Sequence, residues 1–426
     1  MPPPPLHVAI DGRLFGGKSG GIEQVVIGLV DALSHLTDGH ERYTILAYPK
    51  SHDWLAPYVR GPCRMLLATA VRGRPSTQGQ SVRALPGAPP RIPPFRREPT
   101  LSLRARRRAN LSTSDGTLER LNVDVVHFVL QRAFFTEVPS IYHPHDLLHR
   151  HLPHLLTRRE RAKRDVMLGS FCHQARVVSV TSSWVKRDLT AQFGTPPEKI
   201  AVVPLTGSLG AYQPPTDAEL AATRAKFALP DAFAFYPAQT WPHKNHLALL
   251  DAIAHLRDHH NLRVPLICSG HQNHFYPTIQ KRIADLNLTD QVHFPGFITP
   301  NELRALYQLC RCVVIPTLFE AASGPLNEAF MAGAPAACSN VTSLPEQAAD
   351  AALVFDPRDP AAIATAIARL WTDPTLRRTL ADKGRARVAR WTWARAARHF
   401  RALYRQIGGR ALTAEDRAML GATPDI

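Results

Sequence analysis

Acidic residues are scarce in this chain of 426 residues, which has 35 Asp and Glu against 51 Lys and Arg and a formal charge of +16. Such an excess of positive charge favours an anionic partner, and nucleic acid, anionic lipid and phosphorylated small molecules all qualify. Helix-turn-helix, RNP and zinc-finger patterns are absent, which argues against a nucleic-acid-binding protein. The charge alone does not choose between the other two partners.

Long apolar runs and metal-binding patterns are also missing. No apolar stretch reaches the roughly 18 residues of a transmembrane helix, and the first residues lack the basic and apolar regions of a signal peptide. We therefore expect a cytosolic protein. The six cysteines form no CxxC pair, and neither HExxH nor DxD occurs. This predicts reduced core thiols and no metal site.

The length exceeds what one ordinary hydrophobic core organises, so two domains of roughly 200 residues each are expected. We predict an N-terminal domain over 1–206, a linker over 207–230 and a second domain over 231–390. The remaining stretch, 391–426, begins with an amphipathic segment that is long enough to reach back onto the first domain.

The pattern of apolar residues predicts the fold class. A short apolar strand, Leu6 to Ile10, is followed by a glycine-rich turn containing Gly20 and Gly21 and then by apolar residues at helical spacing. From Phe233 onward, short apolar strands alternate with amphipathic helices, which is typical of a doubly wound parallel sheet. We predict an α/β protein with two Rossmann-like domains facing across a cleft, where ligands bind beyond the carboxyl ends of the strands.

One segment, 72–108, breaks this pattern. It has ten arginines, a single acid and aperiodic proline and glycine, which predicts an insertion at the surface. A second basic run follows in the same domain, at Arg158, Arg159, Arg161, Lys163 and Arg164. One interpretation is contact with an anionic membrane, at about 1 kcal/mol per basic residue. A solvated arginine loop and phosphate binding by a few of these residues are the alternatives.

The segment from Phe319 to Glu328 carries the clearest chemical pattern. Pro325 fits the first position of a helix, with Ser323 or Gly324 as its cap. The amides of Gly324 to Leu326 would then face an anion, and a diphosphate suits the positive end of the helix. The sequence therefore predicts a phosphate site here.

Two carboxylates flank this helix start, Glu320 in the preceding loop and Glu328 about one turn inside. Because a carboxylate repels phosphate, we expect each to bind hydroxyl groups of a sugar or ribose. An ordinary loop charge and a favourable acid in a first helical turn are the alternative reading.

A second loop, Tyr236 to Asn245, follows the first strand of the second domain. Lys244 lies where a compact positive charge would neutralise a diphosphate. A solvated surface lysine is the alternative.

Together these motifs resemble the retaining GT-B glycosyltransferases of family 4. Glu320 and Glu328 match the E-x7-E motif of that family, and the residues from Pro242 to Asn245 resemble its donor-phosphate loop. Further similarity lies in the turn from Gly20 to Glu23, in His145-Asp146 and in Leu344-Pro345-Glu346. The resemblance implies the GT-B fold and a nucleotide-sugar donor.

The resemblance also implies roles for these residues. Glu320 would hold hydroxyls of the donor sugar, and Glu328 would bind the ribose hydroxyls of the nucleotide. Lys244 and the amides of the following helix start would stabilise the leaving diphosphate. His145 would contact the donor sugar, and the loop at Gly20 and Gly21 would approach the phosphates closely because it lacks side chains.

Two positions depart from the family pattern. Many members have an arginine five residues before the lysine, and this sequence has Gln239 there. An amide therefore replaces one positive charge. Ala321 and Ala322 stand where glycines are usual after the first glutamate. Because Gln239 takes the place of that arginine, we include it among the expected donor-binding residues.

The resemblance implies transfer with retention, without a required metal or other cofactor, by front-face substitution through an oxocarbenium-like transition state. The expected donor is GDP-mannose or a UDP- or dTDP-sugar. The expected acceptor is a glycan or a lipid-linked glycan in bacterial cell-surface polysaccharide synthesis, reached from the inner face of the plasma membrane. The alternatives are an epimerase or phosphorylase of the same architecture, a nucleic-acid-binding protein and an inactive scaffold.

Overall fold

The computed structural model describes residues 4–16, 21–68, 111–206, 214–296 and 298–422. Gly20 and the basic insertion at 72–108 lie outside these residues. The chain divides into two compact units. The first unit comprises Met1–Val180, Lys186–Val203 and Trp393–Asp425, and the second comprises Thr181–Val185, Pro204–Thr392 and Ile426.

Nine strands of the first unit lie within the described residues. They are β1 (Leu6–Asp11), β2 (Glu41–Ala47), β3 (Cys63–Leu67), β4 (Ser112–Thr113), β5 (Val125–Phe128), β6 (Phe134–Phe135), β7 (Ser140–Tyr142), β8 (Val177–Val180) and β9 (Ile200–Val202). Seven of them form one parallel sheet in the order β3-β2-β1-β5-β7-β8-β9. Every residue of β1 and β5 is buried, as expected for central strands covered on both faces.

The helices that follow these strands are α1 (Gly21–Ser34), α2 (Thr117–Arg120), α3 (Leu148–His151), α4 (Arg158–Gln174) and α5 (Ser183–Phe193). Helix α4 begins with a capping box, in which Thr157 and Glu160 satisfy each other's backbone N–H groups. Helix α5 begins within Thr181–Val185, which belongs to the second unit.

The second unit is built from alternating strands and helices, as the periodicity predicts. Its strands are β10 (Ala234–Pro237), β11 (Leu266–Ser269), β12 (Val292–His293), β13 (Cys312–Ile315), β14 (Ala336–Ser339) and β15 (Ala352–Phe355). Its helices are α6 (Asp217–Lys226), α7 (His246–His260), α8 (Tyr276–Asp285), α9 (Pro300–Leu309), α10 (Gly324–Ala332), α11 (Leu344–Ala348), α12 (Pro360–Thr372) and α13 (Pro374–Val388). The sheet is parallel, in the order β12-β11-β10-β13-β14-β15. The predicted α/β class is confirmed.

Two C-terminal helices, α14 (Trp393–Ile407) and α15 (Ala414–Gly421), belong to the first unit. Helix α14 packs on α1, where a Cβ on Gly28 would come within 2.1 Å of the Trp393 indole. The phenol of Tyr404 lies 2.7 Å from Nδ1 of His127 on β5. Arg405 donates to Glu41 at 2.7 Å. The core of the first unit therefore includes residues from near both ends of the sequence.

No helix in the described part of the chain combines the length and the apolar character needed to cross a bilayer. All six cysteines are free thiols, in agreement with the prediction from their spacing.

Candidate active site

The carboxyl ends of β10 and β13 bring two loops of the second unit together. These strands are neighbours in the sheet, so the loops that leave them start side by side. The Leu318 N–H donates to the His243 carbonyl at 2.8 Å, and the Thr317 hydroxyl donates to the same oxygen at 3.1 Å. The loop that carries Lys244 and the loop that carries Glu320 are thus joined by hydrogen bonds.

Lys244 ends a single 3-10 turn, Pro242–Lys244. The next residue, Asn245, adopts a left-handed conformation with φ of 60°, which asparagine tolerates better than most residues. Its amide donates to Pro316 O at 2.9 Å and to Pro357 O at 2.8 Å. The Tyr236 phenol donates to Lys244 O at 2.8 Å. The backbone of Lys244 is therefore fixed from several sides.

The ammonium of Lys244 forms an ion pair with the carboxylate of Glu320. The two side chains are 20% and 12% exposed, so the pair is largely removed from water. The sequence pattern indicated both residues as ligand contacts but did not predict that they contact each other.

Glu320 is held through its backbone by residues that follow β14. Its N–H donates to the Thr342 hydroxyl at 3.0 Å. Its carbonyl accepts from the hydroxyls of Thr342 at 2.5 Å and Ser343 at 2.9 Å. Sequence reasoning missed both hydroxyl residues, and the one available signal was the mainly polar segment 339–343 at the end of an apolar strand.

The start of α10 differs in detail from the prediction. Ser323 is the cap, and its hydroxyl accepts from the Leu326 N–H at 3.3 Å. Pro325 occupies the second helical position rather than the first, and it has no N–H. Of the three predicted amides, Gly324 is thus the one that neither the cap nor proline removes. A Cβ on Gly324 would meet nothing within 4 Å, so this end of the helix is open to a ligand.

A buried amide network fixes the loop before α10. The Gln347 side chain accepts from the Ser323 N–H at 2.8 Å and donates to Ser323 O at 2.7 Å. It also donates to Asn327 Oδ1 at 2.7 Å, and Asn327 in turn donates to Leu205 O at 3.1 Å. Neither Gln347 nor Asn327 was predicted as a site residue. Their hydrogen bonds hold the helix start in one position.

Glu328 lies on α10, half-buried, and accepts a hydrogen bond of 2.8 Å from the phenol of Tyr307 on α9. Burial raises the pKa of Tyr307 well above its ordinary value, and the nearby Glu328 carboxylate raises it further. The phenol therefore remains a hydrogen-bond donor. Tyr307 is a further residue of the candidate site that the sequence pattern did not reveal.

Gln239 and the exposed Trp241 lie in the loop before Lys244. The Trp241 indole N–H donates to Gln239 Oε1 at 2.8 Å, and the Trp241 side chain is 40% exposed. The amide that replaces the family's arginine is therefore bonded within its own loop.

His145 belongs to the first unit, in the loop after β7, and has a left-handed backbone with φ of 63°. Its Nε2 lies 2.7 Å from Val129 O, so this nitrogen carries a proton and donates. The ring stacks on His143 with centroids 4.3 Å apart. Burial lowers the pKa of His145, which favours the neutral ring with Nδ1 as an acceptor. Gly21, at the start of α1, also belongs to the first unit.

Two parallel-sheet α/β units, one carrying a lysine, a capped helix and the E-x7-E spacing at its strand ends, define the GT-B class. Residues 19–205 match the family model Glycosyltransferase Family 4, and residues 221–387 match the model Glycosyl transferases group 1. The chain belongs to the group 1 glycosyltransferases.

A curated relative agrees with this assignment, and solved structures share the fold. The O-antigen chain mannosyltransferase B of Escherichia coli is 30% identical over 220 residues, which are 51% of this chain and 58% of that protein. The match thus spans less than two thirds of that relative. Sucrose-phosphate synthase from Thermosynechococcus elongatus has a similar fold, with a TM-score of 0.69 at 20% identity over 95% of this chain and 99% of that one. Anabaena HepE in complex with UDP and glucose gives a TM-score of 0.67 at 15% identity, over 94% of this chain and 100% of that one.

Proposed function

We propose that this protein is a retaining glycosyltransferase that moves a sugar from a nucleotide-diphosphate sugar to a glycan or lipid-linked acceptor in bacterial cell-surface polysaccharide synthesis. The observation that carries the proposal is the Lys244–Glu320 ion pair beside the open start of α10. The similarity to an O-antigen mannosyltransferase favours GDP-mannose as the donor. A UDP- or dTDP-sugar is the alternative, since UDP and glucose are bound in a structure of similar fold.

The donor diphosphate would bind between Lys244 and the start of α10. The Gly324 N–H and the positive end of the helix attract phosphate oxygens. The Lys244 ammonium is paired with Glu320 in the structure. Diphosphate binding would therefore compete for this ammonium and release the Glu320 carboxylate toward hydroxyls of the sugar. The ion pair would then serve both the binding of the diphosphate and the placing of Glu320 on the sugar, because it keeps both side chains oriented.

Glu328 would accept hydrogen bonds from the ribose hydroxyls, oriented by the phenol of Tyr307. The transition state gains negative charge on the leaving diphosphate, and Lys244 with the helix dipole would stabilise that charge without a metal. His145 would contribute the acceptor nitrogen Nδ1 to a donor-sugar hydroxyl. Attack by the acceptor hydroxyl on the face that the leaving group vacates gives retention.

The acceptor is proposed to be reached at an anionic membrane surface, from the cytoplasmic side. The described part of the basic surface is the start of α4, where Arg158, Arg159 and Lys163 are exposed. Their charges would add attraction to anionic lipid at about 1 kcal/mol each.

The test starts by measuring thermal shifts with GDP-, UDP-, ADP- and dTDP-sugars, followed by NMR of the product's anomeric configuration. Glu328→Ala and Lys244→Ala should weaken nucleotide binding, measured by calorimetry, because Glu328 would bind the ribose and Lys244 the diphosphate of the nucleotide. Glu320→Ala should reduce turnover more than nucleotide affinity, because its partner is the reacting sugar. Lys281→Ala, an exposed lysine of the same unit, is the control and should change neither.

Three results would contradict the proposal. These are unchanged nucleotide affinity in both Glu328→Ala and Lys244→Ala, near wild-type turnover in Glu320→Ala, and an inverted product. Consumption of donor without a transferred sugar would instead favour an epimerase or a phosphorylase.

A further inference from the structure

We propose a second anion-binding site in the second unit, for a small molecule that carries a phosphate group. It lies at the amino ends of the strands, the edge of the sheet opposite the candidate active site. Asp231 precedes β10, Arg311 precedes β13 and Pro335 precedes β14, and all three line one open depression of about 340 Å³. Arg377 and Arg378, the fourth and fifth residues of α13, complete it. The site goes beyond the proposed function and does not depend on it.

Two of these arginines are held against each other. Nη1 of Arg311 lies 3.5 Å from Trp371 O, and Nη1 of Arg377 lies 3.0 Å from the same oxygen. The distance between the two nitrogens is therefore at most the sum of these two distances. Arg377 also donates to Leu370 O at 2.8 Å, and the Arg311 guanidinium lies over the Trp371 ring, 4.7 Å from its centroid. These contacts fix both side chains.

The protein provides little negative charge to balance this cluster. The carbonyls of Leu370 and Trp371 end α12, and a helix C-terminus carries only about half an elementary charge. Within the described residues, Arg311, Arg377 and Arg378 form no ion pair with a carboxylate, and Asp231 pairs with no base. Other arginines of this unit do have such partners, for example Arg282 with Asp251. Three like charges thus converge on one depression with a single acid at its wall.

The geometry identifies the chemical class of the ligand. Each guanidinium has five N–H donors, and the backbone contacts occupy only part of them. The planar fork matches the oxygens of phosphate, which makes arginine well suited to phosphate recognition. A depression of about 340 Å³ lies at the small end of the volumes of ligand pockets. These features fit a phosphate monoester or a diphosphate on a small molecule, and a lipid phosphate offers the same chemistry.

Pyrophosphate is the probe, titrated by calorimetry. Lys244→Ala serves as the background, because that change removes the ammonium of the candidate active site. In this background, adding Arg378→Ala should weaken pyrophosphate binding roughly tenfold, the loss expected for one hydrogen bond to a charged group. Arg378 is exposed and its side chain makes no hydrogen bond within the described residues, so replacing it with alanine should leave the fold unchanged. Arg377→Gln, checked for folding by circular dichroism, should have a similar effect.

The matched control is Arg369→Ala, which removes an exposed arginine of α12 that does not line the depression. It should leave the affinity unchanged. Equal affinity in the Arg378→Ala and background proteins, or an equal loss in the Arg369→Ala protein, would overturn the proposal, since either result indicates general attraction by charge.

A second experiment identifies the source of the phosphate. The same proteins are sedimented with vesicles that contain phosphatidylglycerol. Vesicle binding that falls in Arg378→Ala and is displaced by pyrophosphate identifies a lipid phosphate. Vesicle binding that Arg378→Ala does not change, together with weaker pyrophosphate binding, identifies a free phosphorylated molecule.

Discussion

Separating Lys244 from Glu320 should have a measurable cost in stability, and removing both residues should cost no more than removing either one. In Lys244→Ala, the carboxylate of Glu320, with only 12% of its side chain exposed, loses its cation. In Glu320→Ala, the ammonium of Lys244, 20% exposed, loses its anion. Exposed pairs contribute about 0 to 1 kcal/mol, whereas removing one partner of a fully buried pair costs about 3 to 5 kcal/mol.

A pair of intermediate burial should lie between these limits, so we expect each single substitution to lower the free energy of unfolding by about 2 kcal/mol. The double variant should lose about 2 kcal/mol rather than the sum of the two, because no unpaired charge remains. The coupling free energy is then about 2 kcal/mol.

Urea denaturation of the four proteins measures this cycle. Because a protein of two units need not unfold in one step, hydrogen exchange of the β13 amides should be followed as a local measure of stability. The exposed pair of Lys281 and Asp285, with 75% and 45% of the side chains accessible, is the matched control. Its coupling should be about 0.5 kcal/mol or less. If the effects of Lys244→Ala and Glu320→Ala simply add, the ion pair does not organise the site.

Two further predictions follow from buried aromatic side chains of the second unit. Tyr307→Phe removes the 2.8 Å hydrogen bond to Glu328, and nucleotide affinity measured by calorimetry should fall roughly tenfold; an unchanged affinity would remove Tyr307 from the site. Burial, with the nearby positive charge of Lys244, lowers the pKa of His246 from 6.5 to about 3. The unfolded chain therefore binds a proton that the folded protein excludes, and stability is lost as the pH falls from 6.5 toward 3. His246→Phe should reduce this loss by roughly 1 kcal/mol per pH unit, measured by denaturation at about pH 7 and about pH 5, and equal slopes in the two proteins would contradict it.

The strands of the second unit could be predicted closely because of how they are buried. A parallel strand covered on both faces is apolar at every position, so the alternation predicted to begin at Phe233 is observed to begin with the strand Ala234–Pro237. The start of α10 was displaced by one position because the Ser323 hydroxyl, rather than the position of Pro325, sets the cap. Shifts of this size are usual at helix ends.

The sequence pattern could not predict contacts between loops that leave different strands of the sheet. Lys244 and Glu320 are 76 residues apart, and they meet because β10 lies between β11, the next strand in sequence, and the more distant β13. Alternation of strands and helices gives the class of sheet but not the order of its strands. The hydroxyl of Thr342 and the amide of Gln347 were missed for the same reason, since their partners come from a different loop.

The position of α14 has a consequence for how the protein is made. Its Tyr404 and Arg405 contact β5 and β2 of the first unit, yet more than half of the chain separates them from those strands. During synthesis on a ribosome, the first unit therefore emerges without one of its core helices. It stays incomplete until the entire second unit has been translated. The second unit, formed mainly from one continuous stretch of sequence, has no such delay and can become the first stably folded part of a nascent chain.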